Sequence, residues 1–288
     1  MRLADTYLLL DEQSQMLHWF DGKESNFLVA IGADGAPFGK DETATSYLVS
    51  FLNILEGVQS CDHNYMLMGA NCDETHELMF EYTKHVVKKM EEIEGKNYHV
   101  RGKTITFQCK LIPSDQKWMA SMAGELNNAA TYFSSFANVS KRDINTINGQ
   151  IGEDSSCTWK KWNYVKRMKD VELVKKFIEK NKIPKNSKNN NHRKKVTEYL
   201  ASMKSRQEFS PALGKYVDCL KPEPLHNSNN AWQQWNLDAL NTAMQLTDRA
   251  EITKANGNIA NLPNTTPTAK YAVLLKETMK AGRLYIMC

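Results

Sequence analysis

Apolar and polar positions give the two halves of the chain different textures. NFLVAIGA (26–33) is a compact apolar run followed at once by Asp-Gly, which predicts a buried strand ending at Asp34. TSYLVSFLNIL (45–55) is apolar and partly β-branched, a pattern open to strand or helix, and YMLMGA (65–70) predicts a second short buried strand. Leu78, Met79, Tyr82, Val86, Met90 and Ile93 then recur at helical spacing opposite a Lys/Glu-rich face. They predict an amphipathic helix near 74–94, ended by Gly95. YHVRGKTITFQCKLI (98–112) alternates like a half-buried strand or a hairpin, with RGK as the turn in the second case, and Pro113 closes it. From Trp118, the positions Met119, Met122, Leu126, Ala129, Ala130 and Phe133 predict a further helix, running to about Phe136.

Beyond residue 140 the strand signal largely disappears. KRDINTINGQIGEDSS (141–156) reads as a polar linker, and KIPKNSKNNNH (182–192) as a basic, Asn-rich loop that frays. Helical patterns recur near 160–180 and 193–205, around Trp232, Trp235, Ala239, Leu240 and Ala243, and at 268–280. NGNIANLPNTTP (256–267) reads as a loop, and no repeat of fixed period is present. The expected organisation is an α/β domain over 1–140, a linker over 141–157 and a basic, mostly helical region over 158–288.

Charge sharpens this division. The 288 residues carry a net charge of +4, yet 158–206 alone holds 16 Lys+Arg against 4 Asp+Glu. The remainder keeps 21 basic and 29 acidic residues, so an acidic body bears one strongly basic segment. Such asymmetry suits a polyanion, most simply nucleic acid held by its backbone. Lys160, Lys161, Lys166, Arg167, Arg193, Lys194 and Lys195 are the candidate phosphate contacts. Trp159, Trp162, Tyr164 and His192 lie among them and could stack on bases. In the same stretch Val165, Met168, Val171, Val174 and Ile178 recur at helical spacing, as in ordinary helix packing. The six cysteines are scattered without a Cys-x-x-Cys pair, which argues against a disulfide framework or zinc module and for an intracellular chain. No apolar run reaches membrane-span length, and the N-terminus lacks the form of a signal peptide.

Two carboxylates hold the most informative places. An Asp at the end of a first strand (Asp34) and another just after a later one (Asp115) would share one rim of a mixed sheet if the strands lie side by side. Paired hard carboxylates there suit magnesium or manganese, and a pair of such ions can act on a phosphodiester. Each position also has a purely structural use: Asp-Gly is a common turn, and Asp115 is a natural N-cap for a helix opening at Gln116. His63, His76 and His85 read as surface or rim residues, and Glu125 and Glu223 as isolated acids. GADGAPFG lacks the spacing of a nucleotide-binding loop.

This order of elements, with Asp at these places, is that of the RNase H fold. NFLVAIGADGAPFG, NYMLMGANCDETHELMFEYTKHV and FQCKLIPSDQKWMASMAGELNNAATYFSSF together resemble the catalytic RNase H-like domain of the V(D)J recombination-activating protein and related transposases. The resemblance spans about 26–140 and continues faintly around KPEPLHNSNNAWQQW. In that family Asp, Asp and Glu bind two divalent ions for DNA nicking and strand transfer. The resemblance places Asp34 on the first Asp, and Asp115, followed by Lys117, on the second. The basic helical region would match the insertion that precedes the final Glu.

Phe133-Ser134-Ser135-Phe136 stands where the family has a zinc-binding Cys-x-x-Cys, so no zinc site is expected. The late glutamates Glu251 and Glu277 lack a matching context. The resemblance therefore implies a truncated or domesticated transposase-like DNA-processing protein, nuclear, with incomplete catalysis. Its partner would be DNA, or RNA, without a membrane, and self-association is open. The alternatives are a non-catalytic nucleic-acid-binding protein and a metal-free domain whose basic helix meets an acidic protein.

Overall fold

The computed structural model describes residues 1–38, 42–143, 145–184, 190–222, 224–256 and 258–286. Helix α1 (Arg2–Ser14) precedes strands β1 (Asn26–Phe38), β2 (Glu42–Phe51) and β3 (Tyr65–Ala70). Helix α2 (Glu77–Ile93), the hairpin of β4 (Tyr98–Val100) and β5 (Lys103–Ser114), and the short helix α3 (Gln116–Met122) follow. After the two-residue strands β6 (Ile151–Gly152) and β7 (Trp159–Lys160) come α4 (Tyr164–Lys180), α5 (Asn190–Ser202) and β8 (Leu220–Pro222). Helices α6 (Pro224–Gln245), α7 (Arg249–Lys254) and α8 (Pro267–Ile286) complete the chain. It forms two compact units, 1–223 and 224–288.

The class is mixed α/β. The sheet runs β3-β2-β1-β5-β4, and β8 also pairs with β5. Strands β1, β2 and β3 are antiparallel neighbours, whereas β5 lies parallel to β1 and β8 parallel to β5. A parallel neighbour requires a crossover, and α2 supplies it. Strand β1 is central: Phe27, Leu28, Ala30, Ile31 and Ala33 are all buried, so both of its faces are covered. The α1 residues Ala4, Tyr7 and Leu8 pack with Phe27, Phe51 and Phe107, while the α2 residues Met79 and Val87 pack with Ile31, Ala33 and Tyr47. Trp118, Met119 and Met122 of α3 join the second group.

Several local expectations are overridden by tertiary pairing. Asp34-Gly35 does not turn: β1 continues through it to Phe38, opposite Ser46 and Thr45 of β2. The 45–55 run is strand to Phe51 and then a 3₁₀ helix. Strand β3 forms where expected but is not buried; Met66 is 69% exposed, as an edge position allows. The hairpin turns at Arg101-Gly102, both at positive φ, which matches the twist of the strands it joins. Helix α2 is capped by His76 and followed by Gly95 at φ +73°, but Leu78 stands outside its buried stripe.

The helix expected from Trp118 to Phe136 stops at Met122. Gly124 adopts φ +71° there, and its carbonyl accepts the amides of Glu208 and Phe209. A side chain at 124 would collide with the Phe209 carbonyl. The 141–156 stretch contains a 3₁₀ turn at Lys141–Asp143 and strand β6, which pairs with β7. Residues 185–189 of the expected Asn-rich loop lie outside the described residues, and 190–192 open α5.

Helices α4 and α5 form a hairpin around Val174, Ile183, Val196 and Leu200, with the Phe177 and Tyr199 rings stacked at 4.0 Å. In the second unit Ala255, Leu262 and Ala269 form a small core.

Candidate metal centre and nucleic-acid surface

Parallel pairing of β1 with β5 brings the two predicted aspartates to one end of the sheet. The register reaches Ala30 opposite Leu111, and Asp34 and Asp115 each stand four residues further along the chain. The Asp34 backbone pairs with Ser46; its side chain lies outside the described residues. Asp115 immediately follows β5 and caps α3, its Oδ1 accepting the Trp118 amide at 2.8 Å. Its capping use is thus realised, in a position that also lies at the end of the sheet.

A further acid joins them that the sequence pattern did not single out. The β3–α2 connection, Cys72-Asp73-Glu74-Thr75, is tied to β2 by Thr45 Oγ1, which donates to the Cys72 carbonyl at 2.8 Å. Thr45 is the register partner of Gly35, so the tie delivers Glu74 beside the residue after Asp34. A Cβ on Gly35 would lie 3.0 Å from Glu74 Oε2, so a larger residue there would press on the carboxylate. Glu74 is 7% exposed. Burial, reinforced by the charge of Asp115, holds its carboxyl above the usual range, with Lys117 opposing. Asp73 is held below that range, chiefly by hydrogen bonds from the Thr75 hydroxyl and amide.

Lys117 Nζ stands 3.2 Å from Glu74 Oε1 and 3.7 Å from Asp73 Oδ2. Its hydrogen bond to Glu74 is the main cause of the raised Lys117 pKa. A buried carboxylate under the field of a second one, with one exposed lysine as its ion-pair partner among the described residues, is a donor set that a hard divalent cation fits. Among the described residues no three His, Cys, Asp or Glu side chains form a metal-holding group. A signal for Glu74 was present in the sequence: an acidic pair shortly after an apolar strand, ahead of a helix.

His76 and His63 have structural roles. His76 Nδ1 accepts the Leu78 amide at 3.2 Å, and His63 Nδ1 is 2.7 Å from the Tyr7 hydroxyl. His85 is exposed on α2. Glu223 lies outside the described residues. Glu251 belongs to α7, where it pairs with Lys254 at 3.5 Å, and Glu277 to α8.

Glu125 is not isolated. It is buried between Arg167, with which it shares an ion pair and hydrogen bond, and Arg206, whose Nε is 3.1 Å from Oε2. Ser135 Oγ donates to Oε2 at 2.6 Å. Arg167 also donates to Gln207 Oε1 and to the Ser135 carbonyl, both at 2.6 Å, and Arg206 donates to the Phe133 and Leu126 carbonyls. This network joins the irregular 124–136 stretch, in which Phe133–Phe136 lie, to α4 and to the segment that follows α5.

Arg167 must therefore be withdrawn as a phosphate contact: at 3% exposure its guanidinium is buried, with its two terminal nitrogens bonded to Glu125, Gln207 and the Ser135 carbonyl. The remaining candidates lie at the surface. Lys161 and Lys195 are exposed; Lys194 is 3.9 Å from Glu198 and Arg193 3.9 Å from Glu208. Lys160 donates to the Asp154 carbonyl. Lys166 lies 4.9 Å above the Trp162 ring and 4.0 Å from Asp170. Trp162 is buried, with its indole N–H on the Ser134 carbonyl, and is not a stacking surface. Val165 likewise stands off the packed face of α4 that Val171 and Val174 occupy. Burial raises the Glu208 carboxyl above its usual range, with Arg193 opposing.

Comparison with known proteins gives no family model and no curated protein that matches the chain. Among the described residues no helix is long and apolar enough to cross a membrane.

Proposed function

We propose that the first unit is an RNase H-like domain that processes nucleic acid, with Asp34, Glu74 and Asp115 as ligands for magnesium or manganese. The parallel pairing of β1 with β5 carries the proposal, because it sets Asp34 and Asp115 at the same distance beyond Ala30 and Leu111. The antiparallel β1-β2-β3 meander, the α2 crossover to β5 and the parallel addition of β8 support the RNase H-like assignment.

A divalent ion here would polarise a phosphodiester and lower the pKa of an attacking water or 3′-hydroxyl. The chain's own residues prepare that position. Asp115 is fixed by the Trp118 amide, and Glu74 by its seat against Gly35. The cap ties the Asp115 carboxylate to the first turn of α3, and the Thr45–Cys72 tie fastens the Glu74 loop to β2. Glu74 comes from within the first unit, so the third ligand of this reading need not be Glu251 or Glu277. Lys161, Lys194 and Lys195 on the basic segment would hold the sugar-phosphate backbone, with Lys160, Lys166 and Arg193 nearby in sequence. DNA is the expected partner, in keeping with a nuclear protein.

The test is nicking of supercoiled duplex DNA by the purified chain in magnesium or manganese. Cleavage lost in Asp34→Asn, Glu74→Gln and Asp115→Asn is the expected result. A chain that binds DNA but cleaves none in either metal leaves a nucleic-acid-binding protein and removes the enzymatic assignment.

A further inference from the structure

Resting on the carboxylate cluster just proposed as a metal site, we propose that Lys117 is its resident counter-ion, and that a divalent cation binds by displacing the Lys117 ammonium from Glu74. Three observations meet at this side chain. Its Nζ spans Glu74 Oε1 at 3.2 Å and Asp73 Oδ2 at 3.7 Å, so a single charge serves two carboxylates. Glu74 Oε2 is packed against Gly35, whereas Oε1 is the oxygen that the exposed Lys117 holds. The lysine itself is 64% exposed on the first turn of α3, whereas Glu74 is nearly buried.

The asymmetry determines which partner yields. Glu74 cannot move without vacating the space beside Gly35, whereas Lys117 has a flexible four-carbon stem and open solvent beside it. An ammonium is one charge and offers no coordination. A divalent ion brings twice the charge and binds carboxylate oxygens directly. Lys117 would thus stabilise the metal-free cluster, weaken cation binding by competition, and stand at the rim with a free positive charge once displaced.

The experiment is a calorimetric titration of manganese into the full chain, its Lys117→Met and Lys117→Arg variants, and Glu74→Gln. Lys117→Met should bind manganese about fivefold to tenfold more tightly than the native chain, the size of one partly buried ion pair. Lys117→Arg, which keeps the charge, should not show the gain, and Glu74→Gln should lose binding. A side chain this exposed is replaceable without unfolding, and circular dichroism of each variant checks this.

Native chain and Lys117→Met binding manganese equally, or Lys117→Met binding it more weakly, overturns the counter-ion role while leaving the metal site intact. No binding by either overturns both. Binding by Lys117→Met alone supports displacement in its strongest form.

Discussion

The Glu74 carboxylate lies beside Gly35, close enough that a Cβ at 35 would stand 3.0 Å from Oε2. These residues are far apart in sequence, and they meet because Thr45, opposite Gly35 on β2, also anchors the carbonyl of Cys72. One hydrogen bond thus sets an acid from the β3–α2 connection beside the strand that carries Asp34.

Gly35→Ala should disturb this seat selectively. The end of the Glu74 side chain must give way by a few tenths of an ångström, while alanine suits a strand better than glycine, so stability should change by no more than about 1 kcal/mol. Manganese affinity should fall in the same variant. Titration calorimetry beside thermal unfolding checks the pair of outcomes; unchanged affinity would mean that the close approach of Glu74 to residue 35 has no bearing on cation binding.

Stability should depend on pH through Glu208. Burial raises its carboxyl in the folded chain above the value in the unfolded chain. Between those two values the native state holds the extra proton, so this group's contribution to stability is lost as pH rises through the window. Glu208→Gln, which cannot ionise, should therefore melt higher than the native chain at neutral pH. The gap should close below the ordinary carboxylate range, where the native chain carries the proton in both states. Melting curves from acidic to neutral pH test the sign, and a gap that widens on acidification would contradict it.

The buried Glu125 should be costly to remove. Glu125→Ala leaves the Arg167 and Arg206 guanidiniums facing each other without their anion, and we expect a loss of about 3–5 kcal/mol. Urea unfolding measures it. A loss below about 1 kcal/mol would show that the two arginines find other partners.

Arg167 should be silent in nucleic-acid binding beyond its effect on folding. Changing Lys160, Lys161, Arg193, Lys194 and Lys195 together to alanine should flatten the salt dependence of duplex binding, by about 0.9 in log–log slope for each phosphate that is no longer neutralised. Fluorescence anisotropy at several salt concentrations gives the slope. An unchanged slope would move the binding surface away from this segment.

The sequence by itself determined the segments whose side-chain period is local: β1, β3, the extended character of β4 and β5, α2, α4, α5, α6 and α8 show their type in their own spacing. It also marked Asp34 and Asp115 through apolar runs that end in an acid. Only the tertiary structure decided that Asp34-Gly35 stays extended, because pairing with Ser46 and Thr45 outweighs the turn preference of that dipeptide. It likewise ended α3 at Met122, where Gly124 receives the 208–209 amides, and turned Arg167 from a surface cation into the partner of Glu125. A single helical or strand period records which face of a segment is buried, but not what lies across from it. Glu74 beside Gly35, and Arg167 beside Glu125, are contacts between distant parts of the chain, and they exist only once the strands have chosen their neighbours.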